Sequence, residues 1–182
     1  TGDIIVESGA QLIIEPGVEV RFTYISDPDN NGQEDTNAAD LIVYGKLFAE
    51  GSATEPILFT SNEDPALKGD WGGIRFSSDE GTSTIYHATI EMAKDGIWTS
   101  SNCNIEISNC EIGTNIDYGV RLGSSSNAVI VNSTINLNGT GIYNYGTMII
   151  RGCTISSSGG TGVYSNGVHI GIYETLIGEN SS

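Results

Sequence analysis

The sequence predicts an all-β fold of stacked coils, a β-solenoid, on three observations. From residue 73 a Gly-Ile or Gly-Val pair recurs at Gly73, Gly96, Gly119, Gly141 and Gly162, in steps of 23, 23, 22 and 21 residues. Inside each repeat an aliphatic pair five residues apart brackets a small residue, in "IYHATI" (85–90), "ISNCEI" (107–112), "IVNSTI" (130–135), "IRGCTI" (150–155) and "IYETLI" (172–177). No window carries the i, i+3, i+4, i+7 apolar spacing of a helix. Apolar residues alternate over short runs instead, and 24 glycines against 4 prolines supply tight turns.

The elements follow in order along one domain, 1–182. Residues 1–72 form irregular N-terminal coils, "DIIVESGAQLIIEPGVEVRF" and "LIVYGKLFAEGSATEPILFTSN", punctuated at Pro-Gly and Glu-Gly and interrupted by an acidic insertion at 27–40. Residues 73–182 form five regular coils of about 21–23 residues. The fourth position of the bracketed motif is Ala88, Cys110, Ser133, Cys153 and Thr175. A small residue there in every turn is what stacking demands, because the same site recurs about 4.8 Å above. A leucine-rich repeat would need a Leu-x-x-Leu-x-Leu line, which is absent, and a β-sandwich would not keep phase over five lines.

These strings, followed by "GDWGGIRF", carry a resemblance. The chain resembles right-handed parallel β-helix domains of the pectate-lyase-like superfamily, and more narrowly the repeat modules of secreted and surface multidomain proteins in bacteria and archaea. The handedness is what the resemblance implies. It also implies a secreted or cell-surface location and a spacer or adhesive role, with a polysaccharide lyase, epimerase or hydrolase as the alternative. The last coil runs into "LIGENSS" without a visible polar cap. Because an uncapped β edge invites aggregation, the expectation is a fragment of a longer protein.

Charge bounds the partners. Lys plus Arg is 7 and Asp plus Glu is 23, a formal charge of 7 − 23 = −16. Such a field repels nucleic acid and anionic membrane, and suits calcium, cationic surfaces or plain solubility. No apolar run approaches the roughly 20 residues that span a bilayer, so membrane insertion is not expected. Cys103, Cys110 and Cys153 are odd in number and lack metal-ligand spacing. Cys110 and Cys153 read as small core residues two coils apart, about 10 Å, too far for a disulfide.

The insertion contains "DPDNNGQED" (27–35). Asp27, Asp29 and Asn31 take positions one, three and five of a calcium loop, Gly32 gives the sharp turn, the Gln33 carbonyl is a further ligand, and Asp35 stands at position nine. The spelling is similar to the calcium repeats of thrombospondin type 3. It departs from an EF-hand in having Ala38 where a bidentate Glu would stand, so Asp40 or a neighbouring coil would complete the shell. The competing reading is a solvated acidic turn. A calcium ion here would be structural, pinning an insertion without a core of its own.

After each Gly-aliphatic opening comes Arg75, Trp98, Arg121, Tyr143 and Tyr164. If Ile74, Ile97, Val120, Ile142 and Val163 point inward, these five point outward as one ladder. Aromatic faces stack on sugar rings and guanidiniums pair with carboxylates or sulfates, so the ladder is the candidate polysaccharide site. The competing reading is a self-contained stack in which Arg sandwiches Trp. For catalysis the candidates are Asp70, Asp95 and Asp117, with Arg75, Arg121 or Lys94 nearby. They shift between coils and give way to Thr140 and Thr161 in the last two, so no catalytic residue is assigned. His87 reads as a turn residue and His169 as an outward strand residue. Asn132-Ser-Thr and Asn138-Gly-Thr match the N-glycosylation sequon. An ice-binding solenoid would need a flat Thr-rich face, which this bulky, charged ladder is not. The sequence therefore points to a non-catalytic spacer or adhesive module, holding polysaccharide on the ladder and stabilised by calcium.

Overall fold

The structure is a computed structural model that describes residues 2–24, 38–77, 79–156 and 159–178. The stretch 27–35, with the proposed ligands Asp27, Asp29, Asn31, Gln33 and Asp35, lies outside the described residues. Among the described residues there is no helix, and 21 strands form three parallel sheets of seven strands each. Successive strands go to the first, second and third sheet in turn, so each coil adds one strand to every sheet. The first sheet comprises Ile4–Val6, Asp40–Val43, Gly73–Phe76, Ile97–Thr99, Tyr118–Leu122, Thr140–Asn144 and Val163–Ser165.

The repeat period fixes the register. Ile97 lies opposite Ile74 on one side and Val120 on the other, and Val120 lies opposite Ile142. In the second sheet Ile85, Ile107, Ile130 and Ile150 form a second column, and in the third Phe59, Ile90, Ile112, Ile135 and Ile155 form another. All of these side chains are buried. Each such burial is worth about 1.5–3 kcal/mol, so the columns are the core.

The corners explain the remaining sequence landmarks. Between the second and third sheets the chain turns through one residue with positive φ: His87 (47°), Asn109 (53°), Asn132 (49°), Gly152 (63°) and Glu174 (49°). Left-handed backbone costs a non-glycine residue about 1–2 kcal/mol. The corner is held because the first four of these amides continue the ladder, His87 N–H donating to Ser108 O and Asn109 N–H to Val131 O, both at 3.0 Å. The small residue that follows turns inward, and its neighbours cross-link the coils: Cys110 N–H donates to Ser133 Oγ (3.2 Å) and Cys153 N–H to Thr175 Oγ1 (3.3 Å). All three cysteines are buried free thiols, and burial pushes Cys110 up to about 11.

A second corner is stapled by buried asparagines. Asn115 Oδ1 accepts from Ala93 N–H at 2.9 Å, and its Nδ2 donates to Asn138 Oδ1, also at 2.9 Å. Asn138 Nδ2 in turn donates to Ile112 O at 3.0 Å. Buried amides are tolerable only when satisfied in this way.

Candidate functional site

The outward column of the first sheet is in register throughout. Arg75 pairs with Trp98, Trp98 with Arg121, Arg121 with Tyr143 and Tyr143 with Tyr164. The column also runs back through Ile42 to Ile5. Because Ile74, Ile97, Val120 and Ile142 fill the core, strand alternation turns the five ladder residues away from it.

Two chemically distinct halves result. Trp98 lies between two guanidinium groups, Arg75 Cζ 4.8 Å and Arg121 Cζ 5.2 Å from its ring centre. Arg121 also stands 5.6 Å from the ring of Tyr118. Tyr143 and Tyr164 are stacked at 4.7 Å with planes 13° apart. Tyr118 tilts against Tyr143 at 5.1 Å, while Tyr145 sets its ring at 73° to Tyr143 and 70° to Tyr164. The hydroxyls of Tyr143 and Tyr145 are 2.8 Å apart. That hydrogen bond first, and burial second, push Tyr143 up to about 12.

Arg75 departs from the open ladder that the sequence suggests. It is only 4 % exposed, and its Nε lies 2.9 Å from Oδ1 of Asp40, itself 1 % exposed. Asp40 fits there because residue 72 is glycine: a Cβ at that position would collide with the carboxylate. Asp40, which the sequence offers to a calcium shell, is thus placed against Arg75. Trp98, Arg121 and Tyr143 are half-buried and Tyr164 is exposed.

Residues 4–148, well over half the chain, match the family described as right handed beta helix region. The chain belongs to the right-handed β-helix family. No curated protein and no solved structure matches it. Family membership gives this β-helix its architecture and its hand, and its chemistry has to be argued from side chains.

The three candidate carboxylates have separate fates in the β-helix. Asp70 is structural: its Oδ2 accepts from Ser61 Oγ–H (2.6 Å) and from Leu67 N–H (2.8 Å), tying down the loop before Trp71, which stacks on Phe22 at 4.2 Å. Asp95 is 6 % exposed, and its Oδ1 has no hydrogen-bond partner among the described residues. Burial, and then the charge of Asp117, raise it to about 6 against the pull of Arg121, Arg75 and Lys94. Asp117 and Lys94 are half-buried. Among the described residues no group of three or more His, Cys, Asp or Glu is placed to hold a metal.

Tyr118, Tyr145 and the Asp40 partnership are not picked out by the repeat alignment. Tyr145 had a signal, since in "YNY" residues 143 and 145 share a face. Asp40 had none, because the sequence counts it with the insertion, whereas it opens the strand Asp40–Val43 opposite Gly73. Of the two sequons, Asn132 is exposed at its corner, whereas Asn138 is buried in the asparagine stack and closed to modification in the folded domain.

Proposed function

We propose that this β-helix is a non-catalytic module of a secreted or cell-surface protein, a rigid spacer or adhesive arm that holds polysaccharide on its outward ladder. The observation that carries the reading is that the in-register outward column ends in the stacked rings of half-buried Tyr143 and exposed Tyr164. Rings repeating at coil spacing suit a linear polymer lying along the axis. Structural calcium at Asp27, Asp29, Asn31, Gln33 and Asp35 is part of the proposal on sequence grounds alone.

The test is a polysaccharide array probed with the purified domain in calcium and again in chelator, with reducing ends and unsaturated products assayed in parallel. Retention without product is the expected result, with a fall in melting temperature in chelator. A blank array in both buffers would overturn the adhesive role and leave a spacer.

One observation favours the second reading, a polysaccharide-active enzyme. Asp95 is raised to about 6 beside Asp117, Arg121 and Lys94, so it carries a proton in mildly acidic solution near a second carboxylate. Product formation that disappears in Asp95→Asn would establish that reading over the first.

A further inference from the structure

We propose that the ligand-binding part of the ladder is its tyrosine end, Tyr143, Tyr145 and Tyr164 with Tyr118, and that the ligand is an uncharged hexopyranose polymer. This rests on the glycan reading above and narrows it.

Trp98 is the residue the sequence would choose as anchor, yet guanidiniums lie against its ring from the coils on either side. A sugar would have to displace a cation to stack there. The cations are engaged as well. Arg75 is buried against Asp40, Arg121 is shared between the rings of Trp98 and Tyr118, and Arg121, Arg75 and Lys94 all act on the charge of Asp95. Three cations thus confront Asp40, Asp95 and Asp117. In a chain of formal charge −16, a polyanion approaching this face gains little and is repelled at long range.

The tyrosine end differs on every count. Among the described residues only Tyr118 of its four rings has a guanidinium over it. Tyr164 is 41 % exposed. Tyr145 lies across the stacked pair, so its ring presents a face in a direction the stack itself does not. A pyranose offers an apolar C–H face to such rings and hydroxyls to their phenols, which both donate and accept. Neutral rings and neutral phenols match a neutral sugar.

The experiment is titration calorimetry with hydroxyethylcellulose, galactomannan, polygalacturonate and chitosan, at about 20 and about 300 mM salt. Binding to a neutral polymer is expected, unchanged within about twofold between the two salts. Tyr164→Ala and Tyr145→Ala should each weaken it on the order of tenfold, Tyr164→Phe should keep it, and Trp98→Ala should keep it while lowering the melting temperature. Binding only to polygalacturonate or only to chitosan, lost in the higher salt, would overturn the uncharged class and leave the glycan reading standing. Neutral-polymer binding abolished by Trp98→Ala but not by Tyr164→Ala would overturn the placement. Binding to none of the four, together with a blank array, would sink the glycan reading itself.

Discussion

The two ends of one ladder make the instructive comparison. Arg75 and Tyr164 occupy equivalent positions, both outward and both in register with their neighbours. One is buried in an ion pair and the other is 41 % exposed. The column sets direction only; what the adjoining coil provides sets availability. At the Arg75 end Asp40 comes in over a glycine that has no Cβ to block it. At the Tyr164 end the neighbours are other tyrosines, which share edges and hydroxyls without closing the surface.

The largest contrast is in stability. Arg75→Leu removes one member of a buried ion pair, which typically costs about 3–5 kcal/mol, whereas Tyr164→Leu at an exposed position should cost under about 1 kcal/mol. Urea unfolding of both variants reads the difference. The double change Arg75→Leu with Asp40→Leu should recover much of the loss, because two well-packed apolar groups substitute for two desolvated charges. Equal costs for the two single variants would mean the ends do not differ energetically.

Asp95 gives the next effect, and its sign is opposite. Its folded value, about 6 against an ordinary 3.8, is raised by burial and Asp117, so the protonated acid is the favoured folded form. The native state is therefore most favoured below pH 3.8, and that advantage is lost as pH rises through about 6. At 1.36 kcal/mol per pH unit the loss is on the order of 2–3 kcal/mol. Asp95→Asn should be more stable than the parent by about that amount at pH 8 and show no advantage near pH 4. Parallel pH–stability curves for the two proteins would show that burial and Asp117 do not hold Asp95 in its protonated form against the cations. Trp98→Ala is smaller again. Two cation contacts at about 0.5–1 kcal/mol each are lost, and the loss should shrink in Trp98→Phe, which keeps a ring between the guanidiniums.

Architecture was legible in the sequence because stacking repeats its demands. Only a small residue fits where Ala88, Cys110, Ser133 and Cys153 recur, so the period and the core columns could be read from one chain. The ladder was legible for the same reason, as a line at fixed offset from the glycines. The state of its members was not. Arg75 looks like Arg121 in the alignment, and its burial depends on Asp40, 35 residues earlier and outside the regular coils. The asparagine stack was invisible because Asn115 and Asn138 look like the loop asparagines around them, and one of them even completes a sequon. The asparagines do stand one repeat apart, 23 residues, but two members make no visible line, and the Arg75–Asp40 pair has no counterpart in the other coils for repetition to reveal.

The finest test of the tyrosine end is a titration. Tyr143 is held at about 12 chiefly by its hydrogen bond to Tyr145, with burial and the neighbouring phenols adding to it. Ultraviolet titration of the phenols should therefore show Tyr143 ionising late, alongside Tyr86, which burial and Glu106 also raise to about 12. Tyr145→Phe removes the hydroxyl partner and keeps the ring, so one late phenol should move down towards 10 while the stack stays in place. The same substitution in a ligand titration separates two roles for Tyr145. If affinity for a neutral polymer survives the loss of the hydroxyl, the crosswise ring is the part that binds. If affinity falls with the hydroxyl while Tyr164→Phe leaves it intact, the paired phenols of Tyr143 and Tyr145 read the sugar through hydrogen bonds, and Tyr164 supplies only the stacking face.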